Sequence, residues 1–428
     1  MTDSRGQFVW MLMTRAGTLV MGVVASVVVA RAMPPEARGT YYMAVAVGTM
    51  AMALGHLSVE SAQTALWSEP KWRSVLEGNS VPLGLCVGTG AAVAAMMTAS
   101  LFQGRAHFPD LWLLAVACAG VPLGVGVLYA SNIAVLRDRS HVAGYAALAS
   151  AAVQCSGLVA LGAAGQLTVV AVVVVWTVSY GVSLAVLIGA GGVAVSRPRL
   201  AFARVTCVKG LRLHAGSAAS YLLLRSDVFF LNALAGSRAV GIYTLAVTFA
   251  ELSRVVVDVF AQVTLPRQFA SDMRASAEVA ARTVRHMTLI GTVSVLVTVT
   301  AVTALVTPLY GPAYAGAAVI VVWLLPGVLL LSAGRFLGTF LLRYRSSRCI
   351  VLPSLLALGV NIALNAALIP VWGAVGCALA STAAYGALIA VKATLFVQVS
   401  GVRWRVLLPG AADVVQLAAR VRGERAGV

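Results

Sequence analysis

Apolar residues in this chain fall in long, nearly uninterrupted blocks. They show neither the alternation of a half-buried strand nor the narrow stripe of a surface helix. The blocks are separated by short clusters of Arg, Gly, Pro and Asp. Each is roughly 20 residues long, enough to cross a hydrocarbon layer of about 30 Å. Backbone groups find no water there, so a helix is the structure each block must adopt. The pattern predicts an all-α polytopic membrane protein with twelve transmembrane helices at 8–30, 40–67, 80–102, 111–136, 142–163, 167–192, 214–235, 240–264, 286–308, 317–342, 349–370 and 373–398. The second block is over-long, and its last turn is expected at the interface.

Composition agrees with this pattern. With 60% hydrophobic and 11% charged residues, and a mean hydropathy of +0.92, there is too little charge to cover a soluble surface. Lys and Arg mark the sides of the membrane. With the N-terminus inside, the outward loops hold only Arg31, Arg38, Arg105 and Arg238. The inward segments hold most of the 31 basic residues, including Arg197–Arg212 and Arg403–Arg425. Both termini are therefore expected in the cytoplasm, with the chain in the cell membrane. Ala30-Arg31-Ala32 has the form of a signal-peptidase site, but its apolar run is long for a signal peptide. The net charge of +17 is accounted for by basic loops facing anionic lipid headgroups. No separate basic domain points to nucleic acid.

Several chemistries are missing. Six scattered cysteines form no CxxC pair, and five isolated histidines form no HExxH. Walker, Rossmann and GxSxG patterns are absent. No enzyme, metal site or cofactor is indicated.

The chain repeats itself. Gly39-Thr-Tyr41-Tyr-Met-Ala44-Val45 matches Gly241-Ile-Tyr243-Thr-Leu-Ala246-Val247 at an offset of 202 residues. Pro122 and Pro326, Arg137-Asp-Arg139 and Arg343-Tyr-Arg345, and Tyr180-Gly181 and Tyr385-Gly386 follow in the same order at nearly that offset. This predicts an N-terminal six-helix lobe at 1–205, a C-terminal six-helix lobe at 206–400 and a basic cytoplasmic tail at 401–428. An even number of spans gives both halves the same orientation, related by a pseudo-two-fold along the membrane normal. Pro122 and Pro326 are candidate hinges, since proline removes a backbone hydrogen bond. Packing geometry explains them equally well.

Charges inside the spans are the candidate functional groups. Arg225 and Arg254 lie about 15–16 Å from their helix ends at ~1.5 Å per residue, near mid-membrane. Arg15, Arg335 and Lys392 are closer to the cytoplasmic side and can snorkel. Glu251, Arg254 and Asp258 share one helical stripe, and His56, Glu60 and Gln63 form another. These stripes fit a cavity lining; structural ion clusters are the alternative. Arg225 and Asp227, two apart on a straight helix, point to opposite sides, with Arg225 expected toward a cleft and Asp227 toward a neighbouring helix.

The stretches Arg225-Ser-Asp227 through Val247, Val29-Ala30-Arg31-Ala32 with Arg38-Gly39-Thr-Tyr41, Leu309-Tyr310-Gly311-Pro312-Ala-Tyr314 and Trp372-Gly373-Ala-Val375-Gly376 resemble lipid-linked oligosaccharide flippases. These are the Wzx-type polysaccharide exporters of the multidrug/oligosaccharidyl-lipid/polysaccharide (MOP) superfamily. The resemblance is one of pattern over roughly 5–400. It implies two six-helix lobes in a MATE-like V and transport of a polyprenyl-pyrophosphate-linked oligosaccharide by alternating access. It also implies partners among glycan polymerases and glycosyltransferases. A pyrophosphate suits guanidinium groups, so Arg225 and Arg254, with Arg15 and Arg335 outermost, are the expected binding residues. Asp227, Glu251, Asp258, His56 and Glu60 leave proton or Na⁺ coupling open. An ion-coupled drug or metabolite antiporter is the alternative, disfavoured because 8–30 holds no acid. A non-transporting scaffold or scramblase is the second alternative.

Overall fold

The computed structural model describes residues 4–104, 108–196, 199–264, 272–345 and 348–421. Within them, fourteen α-helices and two short 3-10 turns follow one another with no strand. Ten helical stretches among the described residues are long and apolar enough to cross a membrane. Two of the ten, Leu200–Arg254 and Arg348–Ser400, contain non-helical glycines at Gly236 and Gly373 and hold two spans each. That yields the twelve spans the hydropathy predicts. Val93, Met97, Val293, Leu296, Val297 and Leu356 are exposed on their helices, as lipid-facing positions should be.

By packing, the chain divides into two compact units: Met1–Tyr221 with Gly236–Gly241, and Leu222–Ala235 with Ile242–Val428. In the first unit the helices are α1 (Ser4–Ala32), α2 (Pro35–Gly55), α3 (Val59–Leu66), α4 (Pro70–Ser100), α5 (Leu111–Leu136), α6 (Ser140–Ala163), α7 (Val169–Gly189) and most of α8 (Leu200–Arg225). Small residues bring α4 and α5 together, as expected where packing rather than hydrophobicity drives association. A Cβ on Gly88 would lie 2.5 Å from Pro122 Cα, and one on Gly84 would lie 2.7 Å from Gly126 Cα. Pro122 thus sits inside an unbroken α5 against α4.

The second unit contains α9 (Asp227–Thr264), α10 (Met273–Tyr310), α11 (Ala317–Ala333), α12 (Arg335–Tyr344), α13 (Arg348–Ser400) and α14 (Ala411–Val421). Its core gathers Val257, Ala280, Met287, Phe336, Phe340 and Phe396. The repeat survives as an atomic contact made once in each unit. Thr177 Oγ1 of α7 donates to Val116 O of α5 at 3.0 Å, and Thr382 Oγ1 of α13 donates to Trp323 O of α11 at 2.6 Å. Pro326 lies within α11, and Thr382 also abuts Gly327 beside it.

Two expectations are corrected, and two further segments are helical. The second span is no continuous helix: it breaks at His56–Ser58, with Leu57 and Ser58 at φ 52° and 48°. Arg38 is not in an outward loop. Pro35 opens α2, as proline can in a first turn, and Arg38 is buried on that helix with its guanidinium donating to Ser26 O and Oγ at 3.2 Å. The basic segments before the seventh and ninth spans are helical. α8 begins at Leu200 and α10 at Met273, so Arg204, Lys209, Arg212, Arg274, Arg282 and Arg285 ride on helices that outrun their apolar blocks. The C-terminal segment is structured too. Asp413 of α14 takes Arg285 Nε at 2.9 Å on both carboxylate oxygens, and Arg285 Nη1 donates to Val406 O at 2.6 Å.

Candidate functional site

Two polar clusters lie inside apolar helices, one in each unit. The second unit's cluster starts where α8 ends. Ser226 is a turn between Arg225, the last residue of α8, and Asp227, the first of α9. Ser226 N still donates to Leu222 O at 2.9 Å and Ser226 O accepts from Phe230 N at 3.3 Å, so helical bonding runs through the turn and the two-residue spacing still sends the side chains apart. Arg225 Nη2 donates to Glu251 Oε1 at 2.6 Å, with the two side chains 33% and 50% exposed. Asp227 is buried. Its Oδ1 accepts from Val228 N at 2.9 Å, and its Oδ2 accepts a short hydrogen bond from Tyr243 Oη and another from Ser381 Oγ at 3.3 Å.

The network continues into α13. Asn361 Nδ2 reaches Ser381 Oγ at 3.5 Å, and Asn365 Nδ2 donates to Asn361 Oδ1 at 2.9 Å, with both asparagines fully buried. At the end of this chain Asn365 Oδ1 is buried with no hydrogen-bond partner among the described residues. Arg254 Nε is buried with no hydrogen-bond partner among the described residues. Asp258 lies on α9, but its side chain is outside the described residues. Arg335 is exposed at the start of α12. Lys392 is half-buried, its Nζ 3.7 Å from where a Cβ on Gly338 would stand.

The first unit's cluster occupies the break between α2 and α3. His56 Nδ1 lies 3.0 Å from Glu60 Oε2, and Ser58 N donates to the same Nδ1 at 3.1 Å. Ser58 Oγ is 3.0 Å from His214 Nδ1 and 3.0 Å from Ser217 Oγ. The interrupted helix leaves carbonyls that side chains of neighbouring helices take up. Tyr129 Oη donates to His56 O at 2.5 Å, and His214 Nε2 to Leu54 O at 2.9 Å. Asn132 Nδ2 donates to Glu60 O and Gln63 Oε1, each at 2.9 Å. Gly210 of α8 lets backbone approach backbone here, since a Cβ would stand 2.4 Å from Leu57 O. His56 and Glu60 are thus together, and Gln63 belongs with Asn132 instead of sharing their stripe. Arg15 is exposed on α1.

Sequence reasoning missed His214, Ser58, Tyr243, Ser381 and the pair Asn361/Asn365. The asparagines carried a signal: two amides four apart in an apolar span share one helix face. The others become polar partners only through tertiary contacts. Among the described residues no three His, Cys, Asp or Glu side chains converge on a metal site.

A family model described as polysaccharide biosynthesis protein matches residues 5–272, more than half of the chain. The chain belongs to the polysaccharide biosynthesis protein family. Ten of its helical stretches among the described residues are long and apolar enough to cross a membrane, as in a multi-pass membrane protein. Among solved structures, the fold is similar to that of the lipid II flippase MurJ in an inward closed conformation. The TM-score is 0.67 at 10% identity, covering 97% of this chain and 93% of that one. An inward-facing multidrug resistance MATE family transporter of the MOP superfamily matches at TM-score 0.65 and 15% identity, covering 90% and 95%. The Vibrio cholerae MATE transporter VcmN, in a mutant form, matches at TM-score 0.63 and 13% identity, covering 98% and 96%. These likenesses carry the all-α, two-lobed fold. No match was found among curated proteins.

Proposed function

We propose that this family member moves a polyprenyl-pyrophosphate-linked oligosaccharide from the cytoplasmic to the outer leaflet of the cell membrane by alternating access. Both termini lie in the cytoplasm. The observation that carries this reading is the Arg225–Glu251 pair: a guanidinium at a helix end, deep in an apolar segment, bound to a half-exposed carboxylate. Glu251 occupies the fork that a pyrophosphate would take, and a dianionic group outcompetes one carboxylate for a bidentate donor. Arg254, three residues from Glu251 on the same face, supplies a second guanidinium. Arg15 and Arg335 are the outer members. The prenyl tail stays in lipid, and glycosyltransferases and a polymerase supply and consume the cargo.

The test is flipping of a defined polyprenyl-pyrophosphate oligosaccharide in proteoliposomes. Arg225→Ala and Arg254→Ala abolish it, and Arg225→Lys restores part, because an ammonium does not reproduce the fork. Glu251 is half exposed, so losing Arg225 does not bury it unpaired; Asp227 keeps its hydrogen bonds from Tyr243 and Ser381, and protein amount is measured beside flipping to separate loss of binding from loss of protein. Full flipping by the Arg225→Ala/Arg254→Ala protein refutes the proposal.

A further inference from the structure

The last helix among the described residues is turned the wrong way round for one packed on a soluble protein. α14 opens with Ala411-Ala-Asp413-Val414-Val415-Gln416-Leu417. With about 3.6 residues per turn, Asp413 and Gln416 share one side, and Ala411, Val414 and Val415 lie on the other. A helix docked on a soluble bundle buries its apolar stripe and shows water its polar one. Here the polar side is inward. Asp413 is buried, taking Arg285 Nε of α10 on both oxygens at 2.9 Å, with His286 Nε2 at 3.7 Å. Gly410 N–H donates to the same carboxylate at 2.9 Å. The apolar side is outward: Ala411 is exposed, Val414 is 52% exposed and Val415 68%.

The segment leading into α14 is built the same way. Val402, Val406 and Leu407 pack on the second unit's core, as does Tyr344 at the end of α12. Trp404 and Leu408 stay 50% and 67% exposed. Arg403 and Arg405 are exposed beside them, as are Arg343 and Arg345 around Tyr344. The one acid between 401 and 417 is Asp413, already held by Arg285, so the surface offered is apolar and basic. Its depth follows from its anchors. α13, the last span, ends at Ser400. Arg285 is the last Asp, Glu, Lys or Arg of α10 before its end at Tyr310. Val293, exposed as a lipid-facing position, lies eight residues further along, about 12 Å at ~1.5 Å per residue. Both anchors therefore hold the segment where an apolar block meets the headgroups. Exposed apolar residues with Trp and Arg at that depth are the makeup of a helix lying in the membrane surface.

We propose that residues 403–417 form a membrane-surface foot: the face made by Trp404, Leu408, Val414 and Val415 lies between headgroups and acyl chains of the leaflet on the C-terminal side, and Arg403 and Arg405 bind phosphates of anionic lipids there. Guanidinium suits that phosphate, and its stem can lie along the apolar boundary. The Arg285–Asp413 pair makes the orientation possible, because it keeps the polar side of α14 out of the lipid. A second copy of this chain fits the surface poorly, since a two-fold contact would set these arginines against their own counterparts. The foot does not rest on the transport reading above.

Full-length protein in lipid nanodiscs tests this in two ways. In a cysteine-free background, Val415→Cys and Gln416→Cys each carry an environment-sensitive fluorophore. In an equal mixture of phosphatidylcholine and phosphatidylglycerol, the label at 415 should emit at shorter wavelength, be quenched by spin-labelled lipid and resist aqueous iodide. The label at 416 should do the reverse. Hydrogen exchange over 401–417 then reads the headgroup. Wild type should be better protected in the mixed bilayer than in phosphatidylcholine alone. Each basic residue near an anionic surface is worth roughly fivefold in affinity. Arg403→Ala/Arg405→Ala should therefore remove up to about 30-fold of that difference, while exchange over 273–285 stays as in wild type. A 415 label open to iodide and untouched by spin-labelled lipid overturns the proposal. So does a 415 label shielded from both, which places protein on that face. Equal protection of wild type in the two bilayers, or a difference that survives Arg403→Ala/Arg405→Ala, overturns the assignment of anionic phosphate to these arginines.

Discussion

Gly39 offers a sharp test of how the second span meets the segment that opens the eighth. A Cβ on Gly39 would stand 1.8 Å from Ser237 O, 2.6 Å from Ser237 C and 3.1 Å from Gly241 N. Seen from the other side, a Cβ on Gly241 would stand 2.0 Å from Pro35 O. Every blocking atom is backbone, so no rotamer relieves the clash. To accept alanine the two segments must separate by about 1.2 Å, the gap between 1.8 Å and the 3.0 Å below which Cβ atoms essentially never sit. That separation also stretches the Glu36–Arg238 pair, 2.7 Å apart. Overpacking usually costs ~1–3 kcal/mol, and a backbone obstacle places Gly39→Ala at the upper end. Gly22→Ala is the control: nothing lies within 4 Å of its Cβ, and alanine favours helix over glycine by roughly 1 kcal/mol. The assay is thermal unfolding in detergent together with protein recovered from membranes. Gly39→Ala lowers both, and Gly22→Ala lowers neither. Because one opening accommodates both methyls, Gly39→Ala/Gly241→Ala costs less than the two single changes added. An unfolding midpoint for Gly39→Ala equal to wild type would refute the reasoning.

Other outcomes follow from the same structure. Burial alone would raise the Asp413 carboxyl, but hydrogen bonds from Gly410 N–H and Arg285, with the charges of Arg285 and His286, outweigh it and hold it below the usual carboxylate range. A depressed acid stabilises above its unfolded pKa and loses that contribution as pH falls through its folded one. Hydrogen exchange over 411–421 should therefore rise below the ordinary carboxylate range in wild type, and Asp413→Asn should be loose at neutral pH already. Thr177→Val and Thr382→Val each remove one interhelical hydrogen bond of the repeated contact, worth about 1 kcal/mol in membranes, and should lower thermal stability by similar amounts. Cysteine labelling in intact cells, in a cysteine-free background, should reach position 237 from outside and not position 204. Labelling of 204 by an impermeant reagent would reverse the orientation.

Hydropathy located the spans well because it reports what lipid demands, apolar length. The fifth helix begins and ends where its apolar block does, at 111 and 136. Where the protein satisfies a group internally, that signal fails. Arg38 next to Pro34-Pro35 has the composition of a loop, yet Ser26 provides for its guanidinium and the helix starts before it. The break at His56–Ser58 has no local cause either. Tyr129, His214 and Gly210, far away in sequence, take up its carbonyls and make room for its backbone. The same holds for the site. His56 with Glu60 was visible as a four-residue spacing, and Arg225 as a deep charge. That Glu251 would take Arg225, and Tyr243 and Ser381 would take Asp227, depended on tertiary packing that the repeat did not specify.

The last two spans have a consequence for how the chain enters the membrane. α13 runs from Arg348 to Ser400 with its single non-helical residue at Gly373, φ 55° and ψ −130°, a backbone open only to glycine. Just past it, Gly376 comes so near its own preceding arm that a Cβ would stand 2.3 Å from Leu368 O. The two arms touch through residues close in sequence, so their pairing needs no other helix to be in place. A nascent chain can deliver them to the bilayer as a preformed helical hairpin, and a side chain at 373 would leave the twelfth span without a partner at the moment of insertion.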